Sequence, residues 1–298
     1  MAALRVRVFG KLHMQNGEAS VSTFPTRRVE ELFGYLLLNQ GAQLQREKLI
    51  DTLWPDLGLS NGRANLSTAL WRLRGVFDKV GMPADEVLKG TRDWISFDPP
   101  FSVELDLAEF KQHLAAAEAA DDLRPREQAY RAATTLYKGQ FCEGIYAEWC
   151  LMAREQLERQ YLHAQGQVMG GLIQLQEYEE AIIIGHDILL HDPLREEVHR
   201  AVMRCFWNLG QRARAVRQFQ RCARLLQTEL QILPMPETIN LFREIVEDRL
   251  DTLRLDGRES GPYNQELKAA FQTYLMAAED LDTLLDLVDR VEKTPVTV

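Results

Sequence analysis

The chain has 298 residues, of which 46% are hydrophobic and 27% charged, which is typical of a soluble globular protein long enough for two domains. No stretch approaches the run of about eighteen apolar residues that spans a bilayer, and the first residues lack the apolar core of a signal peptide. We therefore expect a cytoplasmic protein without membrane contacts, and neither a membrane-spanning nor a secreted one.

The formal net charge of −9 is unevenly distributed along the chain. Residues 1–100 contain 13 basic and 11 acidic residues, a net charge of +2, whereas the remainder carries −11. Salt screens charges beyond about 8–10 Å, so local charge decides whether a surface can bind nucleic acid. The near-neutral first third is compatible with DNA binding, and the acidic remainder suits a solvated surface or a basic partner.

The chain begins with a pattern of short strands. Residues 4–9 alternate apolar and basic side chains, which predicts a half-buried strand ended by Gly10. A second strand is predicted at Leu12–Met14, a turn at 15–18 and a third strand near 20–24.

Three helices are predicted after these strands. Thr26 caps the first, which runs towards Gly41. The second covers residues 45–54 and is stopped by Pro55, and the third covers residues 61–78.

The third helix has two different faces. Its apolar stripe contains Leu66, Leu70, Leu73 and Phe77. We expect the opposite face to read DNA bases through Asn61, Asn65, Ser67, Thr68, Trp71 and Arg72. Alternatively, this is an ordinary amphipathic helix whose tryptophan packs under a neighbouring loop.

A hairpin is predicted at residues 87–97, with a basic tip around Gly90–Asp93. The order of strands, three helices and a hairpin is that of a winged helix-turn-helix, in which the third helix enters the major groove. We assign residues 1–103 to this DNA-binding domain.

From Val103 onward the sequence predicts helices only. Residues 34 apart match each other in two successive units, as in Ala181 and Ala215 or Gln176 and Gly210. This period is typical of tetratricopeptide repeats, which are interaction modules far more often than enzymes. The expected fold is therefore mainly α, with a winged helix followed by an all-α tetratricopeptide-like array over residues 104–250. With only two clear units, chance similarity between amphipathic helices stays open.

Residues 251–298 contain ten acidic and five basic residues and a helical apolar stripe from Leu267 to Val288. They form a third, acidic helical segment, which is either a capping helix for the array or a dimerisation or partner helix.

Signatures of enzyme chemistry are missing from the sequence. There is no P-loop, no GxGxxG, no HExxH and no nucleophile elbow. His186, His191 and His199 lack the spacing of helix-borne metal ligands, and the four cysteines form no CxxC pair. We expect no enzyme, no metal, no cofactor and buried free thiols.

Several short motifs resemble those of the SARP family of transcriptional activators (Streptomyces antibiotic regulatory protein type). The matching stretches are Val8–Gly10, Arg46–Asp51 with Leu53–Asp56, Ala69–Arg74, Leu105–Asp106 with Glu109–Phe110, Leu136–Gly139, the Trp149, Arg154 and Leu157 series, Asp192–Glu197 and Leu209–Gly210. The resemblance covers residues 4–250. It implies an OmpR-like winged helix, a bacterial transcriptional activator domain, direct-repeat DNA sites, head-to-tail homodimers on DNA and recruitment of RNA polymerase.

Three positions depart from the family pattern. Ser67 and Gly75 stand where basic residues are common, and Asp93-Trp94 replaces a Gly-Tyr pair in the wing. Fewer phosphate contacts should weaken non-specific binding and its dependence on salt.

The expected partner is thus double-stranded DNA. Its phosphates would be held by Arg27, Arg28, Arg63, Arg74, Lys89, Thr91 and Arg92. The alternative is an interaction scaffold whose winged helix no longer binds DNA.

Overall fold

The computed structural model describes residues 4–255. The chain divides into two compact units, Met1–Ala164 and Gln165–Val298, which are described separately. The elements of the first unit are β1 (Leu4–Arg7), β2 (His13–Asn16), β3 (Ala19–Val21), α1 (Arg27–Leu38), β4 (Leu44–Gln45), α2 (Arg46–Leu53), α3 (Leu59–Lys79), α4 (Ala84–Val87), β5 (Leu88–Gly90), β6 (Trp94–Phe97), β7 (Val103–Leu105), α5 (Asp106–Ala119) and α6 (Leu123–Leu136). Helix α7 (Glu148–Gln174) crosses the boundary, and the second unit continues with α8 (Tyr178–His191), α9 (Glu196–Asn208), α10 (Arg212–Leu230) and α11 (Pro236–Leu255).

The first three strands and β7 form a four-stranded sheet in the order β3-β2-β1-β7. The predicted alternation in β1 is confirmed, because Leu4 and Val6 are buried while Arg5 and Arg7 are exposed. The turn between β2 and β3 is shorter than predicted, since β2 continues to Asn16. Strand β7 runs parallel to β1, so the expectation of helices only from Val103 onward is wrong at its start. Three residues are too few to show a strand period in the sequence.

The three helices α1, α2 and α3 enclose an aromatic core. Thr26 caps α1 as predicted, its hydroxyl accepting a hydrogen bond from the Val29 amide. The rings of Phe33, Phe77 and Phe97 are fully buried, and Phe33 packs edge-on against both of the others. This core joins α1 and α3 to the hairpin β5–β6, which β4 extends to three strands.

The chain beyond the hairpin also packs against β1 and the turn after it. The Asp106 carboxylate accepts hydrogen bonds from the amides of Val8 and Phe9, and burial raises the pKa of this carboxyl. The Cys142 amide donates to the Val8 carbonyl at 2.7 Å. Arg154 of α7 donates to the carbonyl of Phe141 at 2.6 Å and thereby holds this loop. The winged helix therefore shares one compact unit with α5, α6 and the first part of α7.

The second unit contains the predicted 34-residue repeat. Gln176 and Gly210 each lie two residues after the end of a helix, α7 and α9 respectively. Both have left-handed backbone conformations, with φ of 62° and 70°. The next residue donates to a carbonyl five residues back in both units, Glu177 to Leu172 and Gln211 to Phe206. Both helices thus end in the same Schellman turn, so the match is structural and not a chance similarity of amphipathic helices.

All four cysteines are buried and free, as predicted. His199 is a packing residue, buried between the Pro193 carbonyl and the Gln218 side chain. The predicted apolar stripe from Leu267 to Val288 lies outside the described residues. The predicted boundary between residues 103 and 104 stays a prediction.

Candidate nucleic-acid interface

Helices α2 and α3 form a closely packed helix-turn-helix. Helix α3 begins at Leu59, slightly earlier than predicted. A Cβ atom at Gly62 would lie only 2.2 Å from Cγ2 of Ile50 in α2, so glycine is what lets the two helices approach this closely. The predicted apolar stripe is buried at Leu66, Leu70 and Leu73 and fixes which face of α3 points outward.

All six residues predicted to read bases are exposed on α3. Trp71 is 71% exposed, so the alternative that it packs under a neighbouring loop is wrong. The Ser67 and Thr68 hydroxyls donate to the carbonyls of Arg63 and Ala64 at 2.9 and 3.0 Å. Their oxygen lone pairs and the threonine methyl group therefore stay available for contacts with base edges.

The hairpin and the two helices border a groove of about 640 Å³, which we call the wing cleft. Its lining residues are Gln45, Arg46, Glu47, Ile50, Arg63, Leu66, Ser67, Arg92 and Asp93. The cleft brings the predicted residues Arg63, Ser67 and Arg92 together between α3 and the wing tip.

Arg46 is a basic residue of this cleft that was not among the predicted phosphate contacts. Its Nε donates to the Thr91 carbonyl at 3.0 Å, and its amide donates to the Asp93 carbonyl at 2.9 Å. Burial, and then the charge of Arg74, lower the pKa of Arg46, but an arginine stays protonated at neutral pH. The first turn of a helix favours negative charge, so an arginine there is unusual. That unusual position could have indicated from the sequence that Arg46 belongs to the site.

Most of the predicted phosphate-binding cations are already paired with carboxylates. The ion pairs are Arg63 with Glu47 at 3.0 Å, Arg74 with Asp85 at 3.2 Å, Lys89 with Asp98 at 3.0 Å, and both Arg27 and Arg28 with Glu31 at 3.0 and 2.6 Å. Among the residues that the structure describes, Arg72 and Arg92 form no ion pair. Exposed pairs contribute only about 0–1 kcal/mol, so a phosphate can compete for the cations of such pairs.

The cleft does not include every predicted contact. Arg27 and Arg28 bind the nearly buried Glu31 carboxylate on α1, and the Arg27 guanidinium also lies 5.9 Å from the Tyr146 ring. Arg74 points towards Asp85 of α4 and is also absent from the cleft lining. The exposed Thr91 occupies the wing tip, where its hydroxyl accepts a hydrogen bond from the Asp93 amide.

Comparisons with known proteins agree with this architecture. Residues 105–246 match the family model described as the bacterial transcriptional activator domain. Regulatory protein AfsR of Streptomyces coelicolor is 26% identical over 252 residues, which are 82% of this chain and 24% of AfsR. The chain thus spans about a quarter of the length of this curated relative. The fold is similar to that of Mycobacterium tuberculosis EmbR, solved in complex with a low-affinity phosphopeptide. The TM-score is 0.69 at 18% identity, covering 83% of this chain and 66% of EmbR.

Residues 105–246 thus form a bacterial transcriptional activator domain, and the chain is similar to regulators of the SARP type. The resemblance drawn from short motifs is confirmed, as is the fold of a winged helix followed by a helical array. The matched activator domain begins within β7, the strand that pairs with β1.

Two other kinds of feature are absent from residues 4–255, a membrane-spanning helix and a cluster of metal-binding side chains. No helix within residues 4–255 is both long and apolar enough to cross a bilayer. The same part of the chain has no group of three or more His, Cys, Asp or Glu side chains suited to a metal ion.

Proposed function

We propose that this chain is a sequence-specific DNA-binding transcriptional activator of the SARP family. The observation that carries the proposal is the exposed face of α3, with Trp71 uncovered beside a cleft that contains Arg46, Arg63 and Arg92. In a winged helix, such a helix lies in the major groove while the wing contacts the neighbouring backbone.

The residue types on α3 suit base recognition. Arg72 can pair with the O6 and N7 atoms of guanine, and Thr68 and Trp71 offer apolar contacts to a thymine methyl group. Asn61, Asn65 and Ser67 flank this centre, and Arg92 with Thr91 would hold phosphates at the wing. Direct-repeat sites, head-to-tail dimers on DNA and recruitment of RNA polymerase complete the proposal, following the family.

The first test measures binding of the full chain to a random DNA duplex by fluorescence anisotropy at 50 and 200 mM salt. We expect binding at low salt with a shallow salt dependence, because the carboxylates that pair with most cations also repel phosphates. Selection of bound sequences from a random duplex pool then defines the operator.

Arg72→Ala tests the role of α3 on that selected operator. We expect a loss of about 1–3 kcal/mol in binding free energy and relaxed preference at one base pair. Arg159→Ala is the matched control, because Arg159 is exposed on α7 in an ion pair with Glu155. Unchanged operator binding by Arg72→Ala would overturn the assignment of α3.

A second candidate function follows from the ion pairs at the interface. With Arg63, Arg74 and Lys89 already paired, the winged helix could instead be part of an interaction scaffold that has lost DNA binding. Absence of binding to any duplex at 50 mM salt would favour this scaffold.

A further inference from the structure

A second groove lies within the second unit, between α8, the end of α9 and α10. Its volume is about 580 Å³. We call it the arginine groove. Its lining residues are Glu179, Ile182, Ile183, His186, Phe206, Leu209, Gln211, Arg214, Arg217, Gln218 and Arg221.

Three arginines of α10 lie on one side of this groove. Arg214, Arg217 and Arg221 are spaced at i, i+3 and i+7, which places them on one helix face, and all three are exposed. None forms an ion pair with a residue that the structure describes. Arg214 donates to the Gln211 side chain at 2.9 Å and its guanidinium lies 5.8 Å from the Phe206 ring.

This unpaired row is unusual in a chain of net charge −9 whose residues beyond 100 carry −11. Burial, and then the charge of Arg221, lower the pKa of His186, so the arginines carry the positive charge of the groove at neutral pH. The three arginines therefore make the groove attractive to an anionic ligand.

Apart from Glu179 and His186, the opposite side of the groove is apolar. Ile183 of α8 is 60% exposed there, and Phe206 forms part of the lining. Leu190 continues the exposed stripe two turns further along α8, at 74% exposure. Ile183 therefore offers an exposed aliphatic contact directly beside the arginines, a combination that suits a protein partner.

We propose that the arginine groove binds an acidic, aliphatic peptide segment of a partner protein. The arginines would pair with two or three of its carboxylates, while its leucine-like side chains would cover Ile183. Duplex DNA fits less well, because its phosphate backbone offers no apolar side chain to Ile183. This inference is independent of the DNA-binding proposal, since it concerns another surface.

The experiment is affinity selection from a random 12-residue peptide library on the full chain. We expect enrichment of peptides that combine Asp or Glu with Leu, Ile or Val. The double variant Arg217→Gln, Arg221→Gln should bind a fluorescein-labelled selected peptide at least tenfold more weakly. The control Arg159→Gln, Arg204→Gln, which removes two exposed arginines outside the groove, should bind it normally.

Further outcomes would overturn the proposal. Selected peptides without acidic residues, or equal binding by both double variants, would exclude this role of the arginines. If random duplex DNA displaces the labelled peptide from the wild-type chain but does not bind the groove variant, the groove binds nucleic acid instead.

The chain's own acidic residues Asp282, Asp286 and Asp289 are a competing occupant that a further variant tests. Peptide binding that appears only after their replacement by Asn would assign the groove to that segment instead of a partner. Circular dichroism of each variant verifies folding, and operator binding, measured separately, reports on the proposed function alone.

Discussion

At the scale of single residues, Gly62 decides how closely α3 can pack against α2. In Gly62→Ala, the new methyl group would meet the branched side chain of Ile50, which has little rotamer freedom. We expect the free energy of unfolding to fall by about 1–3 kcal/mol. Gly75→Ala is the matched control on the same helix, because nothing lies within 4 Å of that position. It should raise stability by about 1 kcal/mol, since glycine lowers helix propensity. Chemical denaturation of both variants measures the difference, and equal destabilisation would contradict the packing argument.

We expect the buried His199 to make the free energy of unfolding depend on pH. Burial is the main cause that lowers the pKa of this imidazole below its ordinary value, and its Nδ1 accepts from the Gln218 amide nitrogen at 2.7 Å. Protonation is therefore easier in the unfolded chain. Stability should be fully present above the unfolded pKa of about 6.5 and decrease as the pH falls below it. His186, whose pKa burial also lowers, contributes in the same direction.

The measurement is the melting temperature between pH 7.5 and 5. The wild-type chain should lose more of its melting temperature on acidification than His199→Asn, which cannot titrate. Parallel pH profiles for the two proteins would show that His199 does not contribute.

At the scale of elements, the two repeats end their first helices in the same turn but with different residues. Gln176 adopts the left-handed conformation that Gly210 adopts in the next repeat. A side chain in this region costs about 1 kcal/mol relative to glycine. We expect Gln176→Gly to raise the unfolding free energy by that amount, while Gly210→Gln lowers it. Denaturation curves of the two single variants and of the exchanged double variant provide the test. The double variant should match the wild type, and opposite signs would refute the equivalence of the turns.

The elements also show where sequence patterns lose power. The amphipathic helices of the winged helix and both repeats were predictable, because each repeats a buried position many times. Strands β4 and β7 contain only two and three residues and have no such period. They form because β6 and β1 already offer unpaired backbone groups to them.

At the scale of the whole molecule, the first unit extends well beyond the hairpin. Phe9 packs between the rings of Phe110 and Tyr137 at 5.2 and 4.7 Å, and Asp106 binds the backbone after β1. Residues 1–103 alone lack all these partners. We expect residues 1–164 to unfold cooperatively and residues 1–103 to melt at a lower temperature with poor cooperativity. Thermal melts followed by circular dichroism compare the two fragments. A fragment of residues 1–103 that melts as sharply as 1–164 would instead support the boundary predicted from the sequence.

The chain by itself determined which residues of α3 are exposed, since Leu66, Leu70 and Leu73 can be buried on only one face of a helix. It also determined the 34-residue repeat, because equivalent buried positions recur at that period. Only the tertiary structure decided which charged side chains form ion pairs. Partners that lie far apart in sequence have no characteristic spacing from which the pair could be predicted. Folding pairs Arg63 with Glu47 and Arg74 with Asp85 at the interface, and joins Asp106 to β1. Arg214, Arg217 and Arg221 form no ion pair with a described residue. They lie beside apolar side chains of α8 and α9 such as Ile183 and Phe206.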